Sequence, residues 1–322
     1  MGERLQKFRE DGFLVLEGFN TEEECDALIG RAAELTAGFD YDGHPSVFQT
    51  AEQSRVSDDY FLDSGDKISF FFEKDAFGDD GRLKGDLIRS LNKIGHALHD
   101  LDPVFDRFSR SPQMKALARD LGLSESLIIQ SMYIFKHARI GGVVDVHQDA
   151  TFLYTAPASC VGFWFALEDA TTENGCLWAR PGGHRTALRS RFRRRPEGGT
   201  DFEVFDETPL SLEGMVPLQV RKGTCIVLDG MLPHYSLPNT SGEIPACLHD
   251  SHDQPVCPLP RRKLAPARPG GSGAGLKRCA THFSPSQAAQ RSERRFSSRP
   301  SAMRVFYMPS RAISNRHAAG LP

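Results

Sequence analysis

The sequence lacks any run approaching the roughly 18–20 apolar residues of a membrane span, so a membrane protein is not expected. Its start, Met1-Gly2-Glu3-Arg4-Leu5-Gln6, has none of the apolar stretch of a signal peptide. Its last residues, Gly320-Leu321-Pro322, are not the Ser-Lys-Leu peroxisomal address. The seven cysteines are odd in number and never spaced Cys-x-x-Cys, which fits free thiols in a reducing compartment rather than a disulfide framework. A cytoplasmic protein is the expectation. No repeat of solenoid length occurs. An excess of either charge is also missing: 39 Lys and Arg stand against 42 Asp and Glu, a formal net charge of −3. That balance argues against a dedicated nucleic-acid binder, whose domain is visibly basic.

The near-neutral total conceals a break. Residues 245–322 carry thirteen Lys or Arg and three Asp or Glu, a net of +10, which leaves −13 for residues 1–244. The same tail holds ten of the 20 prolines. Two parts are therefore expected: an acidic body, 1–244, and a basic, Pro/Arg/Ser-rich tail, 245–322. The tail offers too little apolar surface to offset the entropy of ordering it, and is read as disordered. Its basic clusters, Arg261-Arg262-Lys263 and Arg294-Arg295-Phe296, are read as solvated rather than as nucleic-acid or lipid contacts.

The body is long enough to bury a large core without staples. Phe13-Leu14-Val15-Leu16 is an apolar run of strand length. Thr21 and Glu24 form a capping box, and Cys25, Leu28, Ile29, Ala32 and Leu35 recur at helical spacing up to Gly38. Ile68–Phe72 suggests a strand, and helices are expected around Lys93–Asp100 and Gln113–Leu121. From Leu127 onward the period changes. Leu127–Ile129, Met132–Phe135, Val161–Leu167, Val216–Val220 and Cys225–Leu228 are short apolar runs separated by turn residues, the punctuation of a jelly roll. Arg191-Phe192-Arg193-Arg194-Arg195 is read as a solvated loop in preference to a site for coenzyme A phosphates.

Chemistry concentrates in Gly141-Gly142-Val143-Val144-Asp145-Val146-His147-Gln148-Asp149. In extended backbone His147 and Asp149 project to one face. A further histidine, His234, follows the apolar run Cys225–Leu228 and Gly230. Two imidazoles and one carboxylate are the facial triad of non-heme iron oxygenases, which leaves positions open for a keto acid and dioxygen. His-x-Asp alone is a weak signal; the glycines, the strand runs and the later histidine strengthen it. His96, His99, His137 and His184 are not assigned to metal.

Several stretches together resemble the phytanoyl-CoA dioxygenase family. They are Gln130-Ser131-Met132-Tyr133-Ile134-Phe135-Lys136, His147-Gln148-Asp149-Ala150-Thr151-Phe152, Glu168-Asp169-Ala170-Thr171-Thr172-Glu173-Asn174-Gly175-Cys176-Leu177-Trp178 and Pro181-Gly182-Gly183-His184. Asn92-Lys93-Ile94-Gly95-His96 and Phe13–Phe19 add to the likeness, which spans about residues 4–243. The resemblance implies a mainly β protein with flanking helices, a double-stranded β-helix of the jelly-roll or cupin-like kind. It implies Fe(II) on His147, Asp149 and His234, and a 2-oxoglutarate pocket lined by Lys93, Met132, Trp164 and Ser236. The implied reaction consumes dioxygen, decarboxylates 2-oxoglutarate to succinate and CO2, and hydroxylates a small molecule, with ascorbate as a supporting reductant. The resemblance fixes neither the substrate nor a coenzyme A thioester.

The likeness stops at one place. The family carries, about eleven residues past the second metal histidine, an Arg that can clamp the far carboxylate of 2-oxoglutarate bidentately. Here that count lands on Pro245, and no Arg lies between Arg221 and Arg261. The last strand of the jelly roll and its Arg are therefore expected to be missing, with neither Arg261 nor Arg262 reaching the site. Two outcomes follow: a weak dioxygenase, or a catalytically silent, C-terminally altered isoform that keeps only metal binding or an interaction role.

Overall fold

The computed structural model describes residues 2–41, 59–123, 125–196, 199–241 and 301–309. The chain divides into a compact unit of residues 1–243 with 299–322 and a second unit, 244–298, which lies outside the described residues.

Helix α1 (Glu3–Asp11) stops at Gly12, whose left-handed φ of 79° closes the turn. Strand β1 (Phe13–Leu16) follows directly. Helix α2 (Glu22–Ala37) starts from the expected capping box: the Glu24 amide donates to the Thr21 hydroxyl at 3.2 Å, and the Thr21 amide donates to the Glu24 carboxylate at 3.0 Å. The helix buries Cys25, Leu28 and Ala32. Shorter helices are α3 (Asp59–Leu62), α4 (Leu87–Ser90), α5 (Leu98–Leu101), α6 (Pro103–Ser109) and α7 (Pro112–Asp120). The last two begin with proline at the first turn, behind Asp102 and Ser111 as N-caps.

The remaining strands are β2 (Ile68–Phe72), β3 (Leu91–His96), β4 (Ser126–Phe135), β5 (Val144–His147), β6 (Val161–Ala166), β7 (Leu177–Ala179), β8 (Ser190–Arg194), β9 (Thr200–Val204), β10 (Val216–Leu218), β11 (Cys225–Asp229), β12 (His234–Ser236) and β13 (Ser301–Pro309). They form a seven-stranded sheet in the order β1-β11-β6-β13-β4-β3-β2, a four-stranded sheet β10-β7-β12-β5, and the ribbon β8-β9, all antiparallel. Two cores account for the layering. Phe163, Phe165, Val227, Met303 and Val305 on one face of the large sheet pack with Leu28, Phe105, Met114 and Leu117 of the helices. Trp164, Ala166, Ile226 and Ala302 on the other face pack with Leu177, Ala179 and Leu218 of the small sheet. The fold is thus the mainly β jelly roll with helices outside. Among the described residues no helix is long and apolar enough to cross a membrane.

Four expectations need correcting. The last strand is not missing: β13 lies between β4 and β6, with Met303, Val305 and Tyr307 in the helix-side core and Ala302 in the core between the sheets. Of the tail read as disordered, residues 301–309 are therefore a central strand; 242–300, with Arg261, Arg262, Lys263, Arg294, Arg295 and Phe296, and 310–322 lie outside the described residues. The helix expected around Lys93–Asp100 is strand β3 up to His96, with helix only over Leu98–Leu101. Leu91, Ile94 and Leu98 have helical spacing, but Leu91 and Ile94 are buried and the segment hydrogen-bonds to β2 and β4, so sheet pairing overrides the local period. The arginine run is strand β8 rather than a loop, and its charges meet acids of β9: Arg191 to Glu203 at 2.6 Å and Arg193 to Asp201 at 2.8 Å.

Candidate metal centre

His234 opens β12 and His147 closes β5, and the two are directly opposed in the small sheet. Their ring centroids are 4.4 Å apart. Asp149 is not on the strand. It begins a short 3-10 turn, Asp149–Thr151, and that turn swings the carboxylate back to both imidazoles. Asp149 Oδ1 lies 3.5 Å from His147 Nε2 and 3.7 Å from His234 Nε2. Both separations are below the roughly 4 Å that two donors on one ion can span, given metal–donor bonds of about 2.0–2.2 Å. Among the described residues this is the cluster able to hold a metal.

The donor chemistry fits a cation. His147 Nδ1 faces the Asp145 carbonyl at 2.8 Å, and His234 Nδ1 faces the Leu232 carbonyl at 2.9 Å. A carbonyl only accepts, so each Nδ1 carries the proton and each Nε2 presents its lone pair to the centre. Burial pushes the His234 pKa down to about 3, against the opposing pull of Asp149, so this imidazole is neutral at neutral pH. Burial alone would raise the Asp149 pKa, but Arg304 and the two imidazoles outweigh it and hold the carboxyl well below the usual range. The centre thus combines a carboxylate held in its charged form, the neutral His234 imidazole and the His147 ring. His147 is the most exposed of them, with a fifth of its side chain open, against 1% for His234.

Two further residues hold the turn. Gln148, buried between the two ligands, donates to the Met231 carbonyl at 2.8 Å and accepts from the Arg189 amide at 3.2 Å. Gly162 on β6 gives the carboxylate room, since a Cβ there would stand 3.3 Å from Asp149 Oδ2.

The large sheet faces this centre with one row of side chains. Met132, Arg304 and Trp164 are consecutive cross-strand partners on β4, β13 and β6, and directly opposed residues share a face. Arg304 reaches the triad: its Nη2 is 3.0 Å from Asp149 Oδ2 and 2.7 Å from His234 Nε2. Its Nε is buried with no hydrogen-bond partner among the described residues, so the guanidinium retains a donor for an anion. Lys93 is buried on β3, and its ammonium lies 3.7 Å from Met132 Sδ and 5.0 Å from the Phe71 ring centre. This is not a solvated helix lysine. Ser236 is buried two residues past His234, and its hydroxyl accepts from Lys136 Nζ at 3.0 Å.

The structure therefore joins His147, Asp149 and His234, and joins Met132 to Lys93, Arg304 and Trp164. Sequence reasoning missed Arg304, Lys136, Gln148 and Gly162. For Arg304 the available signal was a lone Arg inside an apolar run, Ala302-Met303-Arg304-Val305-Phe306-Tyr307, which a fixed count from His234 cannot find.

Comparison with known proteins agrees with this architecture. Residues 8–245 match the family Phytanoyl-CoA dioxygenase (PhyH). Phytanoyl-CoA dioxygenase 1 of Oryza sativa subsp. japonica is 49% identical over 239 residues, 74% of this chain and 84% of that protein. Phytanoyl-CoA dioxygenase domain-containing protein 1 of Mus musculus is 47% identical over 247 residues, 74% of this chain and 84% of that protein. Among solved structures, EctD from S. alaskensis with 2-oxoglutarate and 5-hydroxyectoine aligns over 97% of this chain and 77% of its own, with a TM-score of 0.54 and 16% identity. The epimerase SnoN in complex with Fe3+, alpha ketoglutarate and nogalamycin RO aligns over 95% and 82%, with a TM-score of 0.54 and 13% identity. These two share the fold, and the sequence matches go further: the chain belongs to the phytanoyl-CoA dioxygenase (PhyH) family.

Proposed function

We propose that the protein is an Fe(II)- and 2-oxoglutarate-dependent dioxygenase that turns 2-oxoglutarate and O2 into succinate and CO2 while hydroxylating a small molecule. The observation that carries this reading is Arg304 on β13, facing His147, Asp149 and His234 from the opposite sheet. Two solved structures of the same fold, SnoN and EctD, are described with alpha ketoglutarate or 2-oxoglutarate, which supports the cosubstrate.

Iron on the triad supplies the redox chemistry that couples keto-acid decarboxylation to C–H hydroxylation. The chain's own residues do the rest. The two carbonyl-bonded imidazoles and the turn carboxylate present fixed donors. Arg304 and Ser236 offer hydrogen-bond donors to a carboxylate, and charged pairs of this kind are the strong ones. Lys93 adds positive charge on the neighbouring strand. Trp164 and Met132, flanking Arg304, keep water from the reacting atoms. The silent-isoform alternative rested on a missing Arg, and no observation favours it now. The engaged arginines of β8 lend no support to a coenzyme A phosphate site. Ascorbate is included as a reductant that keeps iron ferrous. The four described cysteines are free and buried, in keeping with a cytoplasmic location.

The test is succinate formation from 2-oxoglutarate by the full chain with Fe(II) and ascorbate. Wild type is expected to turn over and Asp149→Ala to produce none above the protein-free control. Equal turnover by both would refute the assignment.

A further inference from the structure

Lys136 stands one residue past β4 and is engaged at both ends. Its carbonyl accepts from Asn239 Nδ2 at 2.6 Å. Its ammonium donates to the Gly142 carbonyl at 2.5 Å and to Ser236 Oγ at 3.0 Å. The side chain runs through a gap that glycine keeps open: a Cβ on Gly175, at φ 88°, would stand 2.6 Å from Lys136 Cε. Glu73 lies on the same side, its Oε2 3.4 Å from where a Gly142 Cβ would be, and attracts the ammonium without forming a close ion pair.

The direction of the bond to Ser236 is forced. An ammonium has three donors and no lone pair, so the Ser236 oxygen accepts and its single proton points elsewhere. Among the described residues that proton meets no acceptor, although Ser236 is buried. Accepting from a cation also polarises the hydroxyl and makes it a better donor. Ser236 is two residues from His234 on β12, so the two side chains share the face that looks toward Arg304.

We propose that Lys136 is a positioning residue for the cosubstrate: it turns the Ser236 hydroxyl into a committed donor to the far carboxylate of 2-oxoglutarate. This rests on the 2-oxoglutarate reading above. Lys136 itself need not touch the ligand. Burial lowers its pKa to about 8, with Glu73 acting in the opposite direction, so the ammonium still prevails at neutral pH.

The test is calorimetric titration of the full chain loaded with Mn(II), using 2-oxoglutarate and, separately, oxalate, which chelates metal but has no far carboxylate. Lys136→Met is expected to weaken 2-oxoglutarate about 10-fold, within the range of a lost charged hydrogen bond, and to leave oxalate within about twofold. Ser236→Ala should lose a similar factor, and the double variant should be no worse than about twofold beyond either single one. In steady state the KM for 2-oxoglutarate should rise by the same factor, with kcat within about threefold. Unchanged 2-oxoglutarate affinity in Lys136→Met overturns the proposal. So do equal losses for both ligands, which indicate a merely structural role, and so do multiplying losses in the double variant. Wild type that binds oxalate and no 2-oxoglutarate is a different failure: it overturns the cosubstrate reading itself.

Discussion

At the scale of single residues, the metal centre depends on space as much as on donors. Asp149 is delivered by one 3-10 turn against β6, where Gly162 has no side chain. A Cβ at 162 would sit 3.3 Å from both Asp149 Oδ2 and Phe306 Cε1, tighter than an ordinary contact. Valine adds two methyls to that, and the carboxylate must move. Gly162→Val is therefore expected to lower Mn(II) affinity by at least about tenfold, a change of roughly 1.4 kcal/mol, while circular dichroism stays that of the wild type. An unchanged metal titration would show that the carboxylate does not need that gap. The cluster of His147, Asp149 and His234 was legible in the sequence, because residue type and spacing are what a metal site selects. The gap was not: a glycine in an apolar run acquires meaning only when the strand opposite it is known.

At the scale of elements, β13 decides both fold and chemistry. It is buried on both faces, with Met303, Val305 and Tyr307 on one side and Ala302, Arg304 and Phe306 on the other. Such a strand shows a nearly continuous run rather than alternation, and its central Arg blends into a basic, Pro-rich surrounding. Its partners β6 and β4 lie far back in the chain, and β12, the preceding strand, ends at Ser236 while β13 begins at Ser301. A search for alternation, or a count from His234, therefore passes over it. Strand β3 was misread for a related reason, since pairing with β2 and β4 was invisible locally. By contrast, the capping box of α2 is a purely local device and was read correctly. Burying Met303, Val305, Phe306 and Tyr307 contributes about 1.5–3 kcal/mol each, on the order of the whole stability of a domain, about 5–15 kcal/mol. A chain ending at residue 300 is accordingly expected to lose its cooperative thermal transition. A truncated chain that melts like the full one would remove β13 from the fold.

At the scale of the whole molecule, the charge break at residue 245 takes on a new meaning. The basic tail is not simply an appendix to an acidic body, because one of its arginines is a part of the site. The body also hides histidines from water. Burial, with Lys93 nearby, holds His96 well below its ordinary pKa, and burial lowers His99 as well. Above pH about 6.5 these imidazoles are neutral in both folded and unfolded chains, and stability is complete. Below it the unfolded chain takes up protons that the folded one refuses, so stability falls, by at most about 1.4 kcal/mol per pH unit for each such group. The melting temperature of the metal-free protein should therefore drop between pH 7.5 and 5.5, and drop less in His96→Gln. A rise over that interval would contradict the burial of neutral imidazoles.

The most direct measurement on the whole proposal concerns the Arg that a distant strand brings to the triad. Succinate formation by the Fe(II) protein, followed against 2-oxoglutarate concentration, gives KM and kcat for wild type and Arg304→Ala. Loss of one charged hydrogen-bonding group is worth about 1.5–3 kcal/mol, so KM is expected to rise about 10–150-fold. An Arg304→Ala enzyme with the KM of the wild type would contradict a cosubstrate site completed by β13.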